Sequence, residues 1–216
     1  MRRKAEDYLL NWYFSPNRKP LILRGARQVG KSTLIKNFCK NNQIHLLEIN
    51  LESTPLASLE TKKIDPSRIL QEIEIETNKD YSAQRSLVFI DEIQAQPKGI
   101  TALRYLYEQH PEVCIVAAGS LLELVLNDEK NISFPVGRVE FFYLGPMSFS
   151  EFLEASGKKK LFEHFNAINL NCEFHENELN LWHEQLFDFY KLYLAVGGMP
   201  EAVSIYFKTK KLGEVR

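Results

Sequence analysis

The segment Gly25-Ala26-Arg27-Gln28-Val29-Gly30-Lys31-Ser32 fits the pattern G-x-x-x-x-G-K-[ST], and its surroundings fit as well. Before it runs Leu21-Ile22-Leu23, a short apolar stretch that reads as a buried strand. After it comes Thr33-Leu34-Ile35-Lys36-Asn37-Phe38, which reads as a helix with one apolar face. A strand, a glycine turn and a helix N-terminus make an anion site, because successive backbone N–H groups point at a phosphate and the helix dipole favours negative charge. The residues from Gly25 to Thr33 are therefore expected to cradle a phosphate.

The rest of the chain alternates between strand and helix patterns. Ala5 to Trp12 reads as a leading helix, and Leu21 to Arg24 as the first strand. The helix after the loop runs to about Asn41, and Ile44 to Leu51 as the next strand. Pro66-Ser67 opens a helix carrying Ile69, Leu70 and Ile73, with Ile75 near its end. Ser86 to Ile90 is a buried strand ending in Asp91-Glu92. Gly99 to His110 reads as a helix and Val113 to Ala118 as a strand. Gly119-Ser120 and a Leu-rich helix to Leu126 follow, and Val139 to Leu144 is the last strand. Near-continuous apolar strands separated by helices predict an α/β fold, a parallel β-sheet with helices on both faces. Ligands of such sheets bind beyond the carboxyl ends of the strands. The loop, Asp91-Glu92 and Gly119-Ser120 all fall at such ends and are expected to converge.

From Pro146 onward the strand patterns stop. Ser148-Phe149-Ser150-Glu151 is a capping box opening a helix. Gly157 to Lys160 punctuates the chain, and Glu178 to Leu194 carries a helical stripe including Trp182, Phe189 and Tyr193 that reads as core. Gly197-Gly198 stops that helix, and Pro200 opens another turn or helix. Residues 1–145 are thus expected to form the phosphate-binding core with its leading helix, and residues 146–216 a small helical, lid-like appendage.

Composition narrows the classes. At 216 residues, with 44% hydrophobic and 25% charged residues, the chain can bury a sizeable core. A net charge of −1 gives no global pull towards nucleic acid or anionic membranes. The basic clusters at Arg2-Arg3-Lys4, Lys158 to Lys160 and Lys208 to Lys211 read as solvated surface. Cys39, Cys114 and Cys172 have neither zinc nor redox spacing. No apolar stretch has the length of a membrane helix, and the N-terminus turns acidic where a signal peptide would turn apolar. The expected location is cytoplasmic, with no membrane partner. His183-Glu184 lacks the second histidine of H-E-x-x-H, which argues against a zinc peptidase.

Hydrolysis of ATP needs phosphate charge neutralised, a metal held, and a water oriented for in-line attack. Lys31 is the point charge for the β- and γ-phosphates, and Ser32 offers a hydroxyl to Mg²⁺. Asp91 fits a carboxylate that holds Mg²⁺ directly or one ligand removed. Glu92 beside it fits a general base for the attacking water. Ser120 reads either as a donor to the γ-phosphate or the water, or as the N-cap of the Leu121–Leu126 helix. Arg138 reads either as an arginine that stabilises transition-state charge, in its own subunit or a neighbour's, or as a surface ion-pair residue.

Taken in order, these motifs resemble a large group of prokaryotic AAA+-like P-loop ATPases. Leu21 to Ser32 is similar to that group's "rGaRQvGKT" segment, and Phe89-Ile90-Asp91-Glu92-Ile93-Gln94 to its "fiDEIQ". Ala118 to Leu122 resembles "GSll", Phe134 to Val139 "fPvGRv", Leu144 to Leu153 "l.PlsfeEFl", and Gly197 to Val203 "GGlPeav". The resemblance implies a P-loop NTPase of the AAA+-like, ASCE type. It implies that Lys31, Ser32, Asp91 and Glu92 serve nucleotide, Mg²⁺ and catalysis. It further implies that Ser120 is the polar sensor and Arg138 the arginine of the G-R element. Members of the group commonly continue into a further C-terminal domain, which is expected to be lacking here.

The resulting expectation is a Mg²⁺-dependent ATPase, converting ATP and water to ADP and phosphate and coupling this to a conformational change, with ATP/ADP and Mg²⁺ as cofactors. The alternative is a nucleotide-dependent regulatory module, binding protein or nucleic acid with little turnover of its own. An unknown protein partner and a homo-oligomer both fit. A small-molecule kinase lacks an Arg-rich lid, and Asn78-Lys79-Asp80 does not satisfy the guanine-reading N-K-x-D.

Overall fold

A computed structural model describes residues 1–81, 85–120, 137–168 and 176–215, with the side chains of 176–180 excepted. The chain divides into two compact units, Ala5–Leu144 and Met1–Lys4 with Gly145–Arg216.

In the first unit, five strands form one sheet. They are β1 (Leu21–Arg24), β2 (His45–Asn50), β3 (Ser86–Asp91), β4 (Ile115–Ala118) and β5 (Glu140–Tyr143), in the order β2-β3-β4-β1-β5. Every pairing is parallel. Successive side chains alternate between the two faces of a strand, so a strand buried on both sides must be apolar at nearly every position. Leu21, Leu23, Leu87, Phe89, Val116 and Ala118 pack on one face with Leu34, Ile35 and Phe38 of α2 (Lys31–Asn41) and with Leu9 and Trp12 of α1 (Ala5–Tyr13). Ile22, Leu47, Ile49, Val88, Ile90 and Ile115 pack on the other face. Their partners are Ile69 and Ile73 of α4 (Pro66–Thr77) and Ile100, Leu103 and Leu106 of α5 (Lys98–Gln109). The architecture is the helix–sheet–helix α/β P-loop NTPase fold.

Local chemistry explains the boundaries. Asp65 caps α4 by accepting from the amides of Ser67 and Arg68, and Pro66 follows at the first helical position. Ile75 is 76% exposed, because it lies on the face of α4 opposite the buried Ile69 and Ile73. The short helix α3 (Ala57–Glu60) has no apolar periodicity long enough to be read from sequence, and its end is held by Gln96, whose amide nitrogen donates to Leu56 O and Glu60 Oε1. The expected helix from Leu121 to Leu126 lies outside the described residues, as does Cys172.

The second unit is helical, with α6 (Phe149–Ala155), α7 (Lys159–Ala167), α8 (Glu176–Val196) and α9 (Pro200–Thr209). Its core is Met147, Phe152, Val196 and Val203, flanked by Phe189 and Tyr193. The capping box forms, with Ser148 Oγ accepting from the Glu151 amide and the Glu151 carboxylate accepting from the Ser148 amide at 2.7 Å. Glu151 also accepts from Arg3 Nε at 3.0 Å and from the Lys4 amide at 2.9 Å. Arg3 Nη2 donates to Gly145 O at 2.7 Å. Residues 1–4 therefore pack in this unit. Helix α7 starts inside the Gly157–Lys160 stretch, at Lys159, so only Gly157 and Lys158 punctuate the chain there. Trp182 stacks on His164 with ring centroids 4.7 Å apart. No helix among the described residues is long and apolar enough to cross a membrane.

Candidate functional site

The glycine loop leaves β1 at Arg24 and enters α2 at Lys31. Three of its residues take positive φ, namely Gly25 (147°), Gln28 (63°) and Gly30 (92°). Such alternation turns consecutive amides inward, forming an anion-binding concavity. At Gly25 two constraints meet. Its backbone is one that L-residues rarely adopt, and a Cβ there would stand 2.2 Å from Leu144 O. Leu144 is held in place by donating its amide to Arg24 O at 2.8 Å. Val29 is fully buried and anchors the loop in the core below, while Ala26, Arg27 and Gln28 are exposed. Gly30 caps α2 without any side-chain hydrogen bond, so that first turn presents its amides to the loop. Thr33 is exposed in that same turn.

Lys31 is 7% exposed, and its ammonium donates to Gly25 O and Ala26 O, both at 2.9 Å. Burial pushes its pKa below the usual 10.5, while the negative charges of Glu92 and Asp91 act in the opposite direction. Those carboxylates come from β3. Strand register aligns the carboxyl ends, with Leu23 opposite Ala118 on β4, Ala117 opposite Ile90 on β3, and Asn50 on β2 opposite Asp91. Strand β4 stands between β1 and β3, so roughly 10 Å separates their ends. The first turn of α2 spans that gap, and Ser32 Oγ donates to Asp91 Oδ2 at 2.6 Å.

Asp91 is 9% exposed, and its other oxygen accepts from the Glu92 amide at 3.0 Å. Because the Ser32 hydroxyl directs its hydrogen at Asp91, its lone pairs face away from that bond. A neutral hydroxyl oxygen backed by a carboxylate is a hard-oxygen donor set that suits Mg²⁺, which keeps most of its shell for phosphate and water. Glu92 follows in the left-handed region at φ 50°, and its carboxylate accepts a hydrogen bond from Gln94 Nε2.

The structure thus brings Lys31, Ser32, Asp91 and Glu92 together. Ser120 lies two residues beyond the end of β4, at the same end of the sheet. Its alternative as an N-cap concerns a helix outside the described residues. Arg138 lies elsewhere. It precedes Glu140, which pairs with Leu21, the first residue of β1, whereas the loop leaves from the last. Five strand positions separate the two ends, roughly 16 Å. Its guanidinium instead donates to Glu108 Oε1 at 3.0 Å, an oxygen shared with Arg104 Nε at 3.1 Å. The hydrogen bonds from Arg138 and Arg104 hold the Glu108 carboxyl below its ordinary range. Sequence reasoning gave no role to Gln94, whose signals are its place two positions after Glu92 and at the end of the segment that resembles "fiDEIQ".

A glycine loop between strand and helix, with a lysine at its end and an acidic strand terminus bonded to its serine, defines a nucleotide-binding P-loop protein. The family model described as "AAA domain" matches residues 17–153, well over half of the chain. The chain belongs to this AAA family of P-loop ATPases and is a nucleotide-binding protein. The solved structure of C. elegans PCH-2 is similar with a TM-score of 0.47 and 17% identity, over 98% of this chain and 61% of that one. The chain thus spans about three fifths of that structure's length. No curated protein matches it.

Proposed function

We propose that the chain is a Mg²⁺-dependent ATPase of the prokaryotic group whose "GaRQvGKT", "fiDEIQ", "GSll" and "fPvGRv" segments it resembles. The observation that carries this reading is the Ser32–Asp91 hydrogen bond of 2.6 Å, with Glu92 next in the chain. It joins the phosphate loop to an acidic strand end, the combination that hydrolysis requires.

In this reading the loop amides and the Lys31 ammonium bind the β- and γ-phosphates. Ser32 holds Mg²⁺, and Asp91 fixes the Ser32 oxygen. Mg²⁺ bound there supplies charge neutralisation across the phosphates. Glu92 takes a proton from the attacking water as the water oxygen bonds to the γ-phosphorus and the bond to the β-phosphate oxygen breaks. Ser120 donates to the γ-phosphate or to that water.

Lys31→Ala tests the site, and nucleotide binding measured by calorimetry is expected to disappear. Glu92→Gln is expected to bind ATP and to keep only a residual rate of turnover. Undiminished hydrolysis by Glu92→Gln removes the hydrolytic assignment.

The position of Arg138 favours a second reading, a module that turns over slowly on its own. Some 16 Å from its own loop, Arg138 serves catalysis only in a neighbouring subunit's site. A turnover per molecule that rises with protein concentration supports such a homo-oligomer. A rate independent of concentration, with full activity in Arg138→Ala, removes it.

A further inference from the structure

Glu92 is an unusual anchor for a general base. Its backbone is left-handed, at φ 50°, and its side chain is only half-buried. A glutamate has three rotatable side-chain bonds, so a base placed this way needs something to fix its carboxylate. The single-turn 3-10 helix Ile93–Ala95 supplies it. The Ala95 amide donates to Glu92 O at 2.9 Å, closing the turn directly on the glutamate. Ile93 is fully buried and packs against Gly99, where a Cβ would stand 3.1 Å from Ile93 Cγ1. The turn is therefore pinned from below, and Gln94 projects from it beside Glu92.

The Gln94 amide makes a directional contact. Its Nε2 donates to Glu92 Oε2. The opposite orientation would set a carbonyl oxygen against a carboxylate, so the charge of Glu92 selects the donor. Gln94 Oε1 is buried and has no hydrogen-bond partner among the described residues. A buried amide oxygen left without a donor is unfavourable, and proteins retain few of them. Packing alone would favour an apolar side chain of the same length here. What the amide contributes is one hydrogen bond to the glutamate, and that bond engages one of its two carboxylate oxygens. The other, Oε1, is left to accept a proton.

We propose that Gln94 is a positioning residue for the hydrolytic reaction, a brace that holds the Glu92 carboxylate by Oε2 so that Oε1 faces the attacking water. This rests on the assignment of Glu92 as the base. The brace acts through Glu92 and not on the nucleotide, so it governs kcat and leaves ATP affinity alone.

The test is a double-mutant cycle in the full chain with Gln94→Met, which keeps the length and removes the donor, and Glu92→Gln. Expected results are a kcat lowered between about tenfold and a hundredfold in Gln94→Met, with KM and the calorimetric Kd for ATP unchanged. Gln94→Met is expected to lower the residual rate of Glu92→Gln no further, because groups that act as a unit are not additive. A second readout needs no turnover. The side-chain amide resonance of Gln94, assigned by its loss in Gln94→Met, should move on Glu92→Gln. An amide resonance that stays in place, an equal loss of rate in both backgrounds, or an unchanged kcat in Gln94→Met overturns the brace while Glu92 remains the base. Full turnover in Glu92→Gln instead removes the base, and the brace with it. Thermal unfolding of each variant separates these outcomes from misfolding.

Discussion

Ser32 and Asp91, 59 positions apart in the chain, meet at 2.6 Å across the end of a strand that belongs to neither. One residue lies in the first turn of the helix after the phosphate loop and the other closes β3. Strand β4 lies between them in the sheet, so only the reach of the first turn of α2 makes the contact. The bond orients the serine oxygen by engaging its hydrogen, and the direction of the oxygen's lone pairs is thereby fixed by the fold itself.

Removing either end of that bond should weaken Mg²⁺ dependence more than nucleotide binding itself. Ser32→Ala and Asp91→Asn are each expected to lower the affinity for Mg²⁺-ATP by roughly tenfold to a hundredfold. Their affinity for ATP in EDTA should stay close to that of the parent chain. Calorimetric titrations with and without Mg²⁺ give both numbers.

Gly25→Ala should destabilise the first unit by roughly 2 kcal/mol or more. The cause is double, a backbone at φ 147° and a methyl group directed at Leu144 O. Urea unfolding followed through Trp12, buried in this unit, is the measurement. A midpoint equal to that of the parent would show that the loop relaxes freely.

Glu151 makes the second unit sensitive to acid. Burial pushes its carboxyl up, but the amides of Ser148 and Lys4 and the Arg3 guanidinium outweigh this and leave it below the ordinary 4.5. A lowered native pKa means that the stabilisation is complete above 4.5 and is lost as pH falls through the native value. Glu151→Gln is expected to cost roughly 3 kcal/mol at pH 7, because it removes the carboxylate that faces the buried Arg3 charge. That deficit should shrink steadily below pH 4.5. Fluorescence of Trp182 in a Trp12→Phe background reads the unit by itself.

The thiols of the first unit should be inert. Cys39 and Cys114 are both 2% exposed, and burial pushes the Cys39 thiol up to about 12. The thiolate fraction at pH 8 is then on the order of one in ten thousand. In a Cys172→Ser variant, a thiol-reactive disulfide reagent should label neither cysteine until urea is added.

The extent to which this was readable from the amino-acid order follows from the range of each interaction. The loop at Gly25–Ser32, strand β3 and the box at Ser148–Glu151 are local patterns, and all three stand where expected. The apolar strands carried the α/β class because burial on both faces leaves no room for polar alternation. Local pattern fails where the cause is distant. The four residues of α3 owe their place to Gln96, 40 positions beyond Leu56. The need for glycine at position 25 comes from a carbonyl at 144. The location of Arg138 depends on β5 pairing with β1 in parallel, which sets it at the end of the sheet away from the loop, and spacing alone does not carry that register.

Arg3 and Glu151 are separated by 148 positions. During synthesis Arg3 emerges first, and Glu151 follows about 7 to 30 seconds later at ordinary elongation rates. By then the whole β-sheet unit between them has left the ribosome and can have folded. Arg3 is thus made long before its partner and can be secured only after it. Extra residues fused ahead of Met1 would be felt at the closing of the helical unit, where Arg3 and the Lys4 amide meet Glu151.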